Sequence, residues 1–125
     1  MHICPMQSPE LFKGTLSTIV LKLLHEHGRM YGYEMTQKVK LLTHDAVQLT
    51  EGSLYPALHK LEVEGWVKSE VEYIGKRPRK YYSLTNSGRG AVTEKVNEFA
   101  EFVKAMQQVL GPLPGHELKL QPIKI

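Results

Sequence analysis

Residues 50–85 read TEGSLYPALHKLEVEGWVKSEVEYIGKRPRKYYSLT, and within them the hydrophobic period changes once. Up to Gly65 the period is helical: Leu54, Ala57, Leu58 and Leu61 fall on one side of a helix at ~100° per residue. From Trp66 it is two, with Val67, Val71 and Tyr73 alternating against Lys68, Glu70 and Glu72, as in a half-buried strand. Arg79 to Leu84, rich in β-formers at Tyr81 and Tyr82, is its partner, and Ile74 to Pro78 is the loop of the hairpin. Thr50 and Ser53 are both candidates for the helix cap. Pro56 would be mid-helix from Thr50 and in the tolerated first turn from Ser53. The expectation is a helix from about Gly52, bent near Pro56.

Upstream of this stretch lie two more helices. Ser8, Pro9 and Glu10 form a start signal, and Leu16, Ile19, Val20, Leu23 and Leu24 recur as a buried stripe until Gly28 stops the helix near His27. A shorter helix runs from about Gly32 to Leu42 with Met35, Val39 and Leu42 inward. His44-Asp45 carries turn chemistry, and Val47 to Leu49 reads as a short strand. Downstream, Thr85 caps a long helix that ends near Leu110 at Gly111-Pro112. The tail after it reads as extended. Three helices followed by a hairpin give the order of a winged helix-turn-helix domain. The fold class is therefore mainly α with a β-hairpin (α+β). The expected divisions are a winged domain at 8–85, a dimerisation helix at 86–110 and an extended tail at 111–125.

The 125 residues leave room for little beyond one domain, and no apolar run approaches the ~18 residues needed to cross a bilayer. The opening Met1-His2-Ile3-Cys4-Pro5 lacks the order of a signal peptide, and a single cysteine precludes an internal disulfide, so a cytoplasmic location is expected. No P-loop, GxGxxG or nucleophile–base spacing points to an enzyme, and nothing calls for a cofactor. Metal binding is not expected either. His25 and His27 point about 200° apart on a helix, and His2 with Cys4 falls short of a zinc ligand set.

Several segments resemble the PadR family of transcriptional regulators: Met30-Tyr31-Gly32-Tyr33-Glu34, the run Glu51 to Gly65 with its Leu54-Tyr55-Pro56-Ala57-Leu58 core, and Arg79-Lys80-Tyr81-Tyr82-Ser83-Leu84-Thr85-Asn86-Ser87-Gly88. The resemblance covers roughly residues 11–110. With one helix after the wing, the chain looks like the family's short branch. It implies a dimeric DNA-binding repressor, often of adjacent transport or detoxification genes and in some members released by small aromatic or drug-like effectors.

Helix geometry and charge nominate the contacts. Opposite the apolar side of the third helix lie Gly52, Pro56, His59 and Val63, flanked by Tyr55 and Lys60. The DNA-binding candidates there are Ser53, Tyr55, His59 and Lys60. Tyr55 has a competing reading as packing against the second helix. The chain carries a net +3, but Thr50 to Gly65 sets Lys60 against Glu51, Glu62 and Glu64, a balance of −2. The hairpin supplies the missing charge. Lys76, Arg77, Arg79 and Lys80 place four cations in five residues around Pro78, suited to phosphate or the minor groove. Lys38 and Lys40 are further backbone candidates.

In the last helix Val92, Val96, Phe99, Val103, Met106 and Leu110 are spaced 4, 3, 4, 3, 4, a heptad seam broadened by Phe102 and expected at a homodimer interface. Its rival reading is packing onto the first helix within one chain. Phe99, Phe102 and Met106 are also the candidates for an effector pocket. Trp66 reads as core. An interaction module without DNA binding remains the alternative, and it would have no need of four clustered cations.

Overall fold

The computed structural model describes residues 14–112. The Ser8–Glu10 start signal, His2, Cys4 and the tail beyond Pro112 lie outside them. The first described helix, α1 (Leu16–His27), ends at Gly28, whose φ of 76° suits a residue without Cβ and whose N–H reaches the Leu24 carbonyl. Of the expected stripe Leu16, Val20, Leu23 and Leu24 are buried and Ile19 partly so, while Leu21 is fully buried outside it. The reason is position: α1 packs at once against the last helix, the third helix and the sheet, so one stripe does not describe its buried surface.

A two-residue strand, β1 (Met30–Tyr31), follows, where the sequence suggested only the approach to a helix. It is too short for any period to announce it. Next, α2 (Gly32–Leu42) matches its expected limits, with the Glu34 carboxylate accepting from the Tyr31 N–H at 3.0 Å. His44 and Asp45 both take left-handed φ, 51° and 66°, and Thr43 closes the turn by donating to the Val39 carbonyl and accepting from the Val47 N–H. Val47 to Leu49 is not one of the strands.

Of the two candidate caps for α3 (Glu51–Val63), Thr50 is the one used, its hydroxyl accepting from Ser53 N–H at 3.3 Å. Pro56 therefore sits inside the helix. The N–H it lacks would have reached Gly52, and both residues lie on the solvent side, where water can satisfy that carbonyl. Leu54, Leu58 and Leu61 are fully buried below.

The hairpin strands are β2 (Val67–Ile74), one residue further along than expected, and β3 (Arg77–Leu84), which starts two residues earlier than expected, since Ile74 pairs with Arg77 across a two-residue turn, Gly75-Lys76, with Gly75 at φ 65°. The sheet is antiparallel in the order β1-β3-β2. Pro78 is accommodated in β3 because β1 pairs only with Tyr81 and Tyr82, leaving that side of β3 open further out. One expectation fails here. Val67 is buried, but Val71 and Tyr73 are 54% and 70% exposed. The hairpin runs past the end of the core, so its inward period continues with nothing underneath.

Thr85 caps α4 (Asn86–Leu110) through Gly88 N–H, and its own hydroxyl donates to the Gly65 carbonyl at 2.6 Å. Gly88 lies against the Trp66 carbonyl so closely that a Cβ there would collide with it. The start of α4 is thus seated on the turn that joins helix α3 to the wing, and Ala91 and Val92 complete the core. Among the described residues no charged side chain is buried, and Tyr82 brings its phenol into the core.

Candidate nucleic-acid interface

The exposed side of α3 and the hairpin that follows it face solvent. Along α3, Ser53, Tyr55, His59 and Lys60 are all exposed, but not equally free. The Ser53 hydroxyl donates to the Thr50 carbonyl at 3.1 Å, so it is engaged in the cap. Tyr55 lies against Gly32 at the start of α2, where an added Cβ would stand 2.5 Å from the phenol oxygen. Its sideways packing is therefore real, and 42% of it stays exposed. His59 and Lys60 have no side-chain partner. Lys40 on α2 is exposed, and Lys38 partly so.

The four wing cations divide into two pairs. Lys76 and Arg77, at the turn, are exposed and without a partner. Arg79 and Lys80, at the base, are held by the protein and on opposite faces, as the two-residue strand period requires. On the outer face the Arg79 guanidinium lies 4.2 Å above the Tyr31 ring, Tyr31 meets Tyr81 edge-on at 5.4 Å, and Arg29 lies 4.2 Å above Tyr81. Arg29 also reaches Glu72 at 2.6 Å, and this hydrogen bond is the main cause of its raised pKa. On the inner face Lys80 lies 3.8 Å from the Glu62 carboxylate and 5.6 Å from the Tyr82 ring. Burial pushes the Tyr82 phenol up, with the Glu62 charge and Tyr55 adding to it.

Arg29, Tyr31, Glu62 and Glu72 were missing from the sequence-derived site. The alternation of Arg79 with Tyr81, and of Glu70 with Glu72, marks shared faces in the sequence. No local period marks Arg29 or Tyr31, because β1 is two residues long and Arg29 lies just before it.

In α4 the seam has two parts. Val92 is 3% exposed in the chain's own core and Val96 packs against that core. Further along, Val103 and Met106 are half-buried, while Phe99, Phe102 and Leu110 are exposed, with the two rings 6.5 Å apart. The start of this helix packs on α1, and its end leaves an apolar face uncovered in the single chain. Trp66 is half-buried against the core, with Lys95 above its ring at 5.4 Å beside a shallow depression. Among the described residues no helix is long and apolar enough to cross a membrane, and no group of three metal-binding side chains occurs.

A helix presented over a scaffold of two others, beside a cationic two-stranded hairpin, defines a winged helix-turn-helix protein. Residues 20–94 match the model of the transcriptional regulator PadR-like family. A transcriptional regulator of Mycobacterium tuberculosis is 32% identical over 97 residues, spanning 76% of this chain and 85% of that protein. An uncharacterized protein of Lysinibacillus sphaericus is 34% identical over 99 residues, 77% of this chain and 88% of its own. Among solved structures, a transcriptional regulator from Clostridium thermocellum superposes with a TM-score of 0.73 at 31% identity, covering 79% of this chain and 96% of that one. A PadR family regulator from Eggerthella lenta does so with 0.69 at 30% identity, covering 83% and 88%. The chain belongs to the PadR-like family of transcriptional regulators, a family of regulators rather than of enzymes.

Proposed function

We propose that this protein is a dimeric cytoplasmic repressor that binds a palindromic operator and is released by a small aromatic or drug-like effector. The observation that carries the DNA reading is the pair of partner-free cations, Lys76 and Arg77, at the end of a hairpin that projects past the core beside α3. A cation pair held at a hairpin tip reaches phosphates flanking the groove that α3 enters. The acidic balance of α3 assigns it the reading of bases, by His59 and Lys60 and, from the rim, Ser53 and Tyr55. Arg79 and Lys80, engaged by Tyr31 and Glu62, brace the hairpin and leave phosphate contact to the tip.

Dimerisation is favoured by the apolar turns at the end of α4, where Phe99, Phe102 and Leu110 are left to solvent in one chain. A second copy covers them by the same surface in a two-fold pair and sets two α3 helices toward one palindrome. Between the subunits Phe99, Phe102 and Met106 would line the effector pocket, with rings for a planar ligand and a thioether that adapts to it.

Titration with a random-sequence duplex at low salt, monitored by fluorescence anisotropy, tests the first part. Binding that weakens steeply with salt is expected, and no binding would favour a protein-interaction module. Sedimentation tests the dimer. Quenching of Trp66 or tyrosine emission by phenolic and planar cationic compounds tests the pocket, and the absence of any saturable response from a clean dimer would count against it.

A further inference from the structure

The geometry points to Glu62 as a positioning residue that withholds Lys80 from the DNA backbone, and so weakens binding that rests on charge alone. This rests on the DNA-binding reading above. Glu62 lies in the last turn of α3 and its carboxylate joins both strands of the wing. The Ser69 hydroxyl of β2 donates to Oε2 at 2.7 Å, and the Lys80 ammonium of β3 lies 3.8 Å from Oε1. Among the described residues no other side chain of α3 makes a hydrogen bond or ion pair to the wing.

A carboxylate at this place is costly for a protein that approaches phosphates, since it adds a like charge to an already acidic helix. Its position explains it. Glu62 is 28% exposed, and the bond from Ser69 holds one of its oxygens in place, so the attraction to Lys80 is less screened than between two free surface chains. Ser69 pairs with Tyr82 and Val71 with Lys80, which places both Glu62 partners on the inner face of the hairpin, toward α3. Of the four clustered wing cations Lys80 is the one that pairs with the recognition helix, and released from Glu62 it would reach a phosphate between helix and tip. A flexible lysine binds any phosphate it can reach, whatever the sequence. Holding it on Glu62 leaves sequence-independent affinity to Lys76 and Arg77 and leaves discrimination to the bases that α3 reads.

The test uses the full chain, a random-sequence duplex, and the slope of log affinity against log salt. Glu62→Gln keeps an acceptor for Ser69 and removes the charge. Its slope is expected to steepen by about one unit, with affinity roughly eightfold higher at about 0.1 M salt. Lys80→Ala alone is expected to leave the slope unchanged. The Lys80→Ala/Glu62→Gln pair is expected to return it to the wild-type value. A merely structural Glu62 would alter the urea midpoint and leave all four slopes equal, and that result overturns the inference. So does a slope flattened by a full unit in Lys80→Ala alone, because Lys80 would then already be on DNA. If wild type fails to bind the duplex, the DNA-binding reading falls and this inference with it.

Discussion

Removing the two tip cations should remove most of the wing's salt-dependent affinity. Lys76 and Arg77 are exposed and unpaired, so each is free to displace one counterion from a phosphate. At ~0.9 units of log–log slope per contact, the Lys76→Ala/Arg77→Ala variant should lose ~1.8 units. Across a fourfold change, from about 50 to about 200 mM salt, wild-type affinity should therefore fall roughly 12-fold further than that of the variant. Because neither residue holds anything in the fold, stability should change by less than about 0.5 kcal/mol. Anisotropy titrations on a random duplex at four or more salt concentrations supply the slopes, and urea unfolding supplies the control. Adding Arg79→Ala and Lys80→Ala should flatten the slope by no more than about one further unit, since Lys80 is engaged by Glu62. The reasoning is refuted if the tip variant keeps the wild-type slope, or if the base pair of cations costs as much as the tip pair.

Gly88→Ala should destabilise by about 3 kcal/mol in urea unfolding, because a Cβ there meets the Trp66 carbonyl and backbone must move to admit it. A Gly88→Ala protein as stable as wild type would show that α4 is not seated on the Gly65–Trp66 turn. Phe99→Ser/Phe102→Ser should shift sedimentation from dimer to monomer with helical circular dichroism preserved, since both rings are largely outside the chain's own core. Arg29→Ala should speed amide hydrogen exchange at Glu72 and Tyr81 without moving exchange in α1. Its guanidinium braces both wing strands from the outer face.

What the chain alone determined lies within a turn or two of each residue. The limits of α2, the stop at Gly28, the left-handed His44-Asp45 turn, the Thr85 cap and the change from helical to strand period all depend on near neighbours and backbone preference. They survive in the structure because nothing distant opposes them. The apolar side of α3 was legible for the same reason, and so was the concentration of charge in the wing.

Only tertiary structure decided what stands opposite each face. Periodicity put Val71 and Tyr73 on an inward face, but the core ends beneath Tyr82, and both are exposed. It gave Val92 to the same seam as Leu110, yet α1 covers one and not the other. The four wing cations look equivalent in the chain. Arg79 belongs with Tyr31, 48 residues upstream, and Lys80 with Glu62, 18 upstream, whereas Lys76 and Arg77 have nothing within reach. Strand period settles which way a side chain points. Whether it meets a ring, a carboxylate or open solvent depends on how distant segments come together, and that left the two tip cations free.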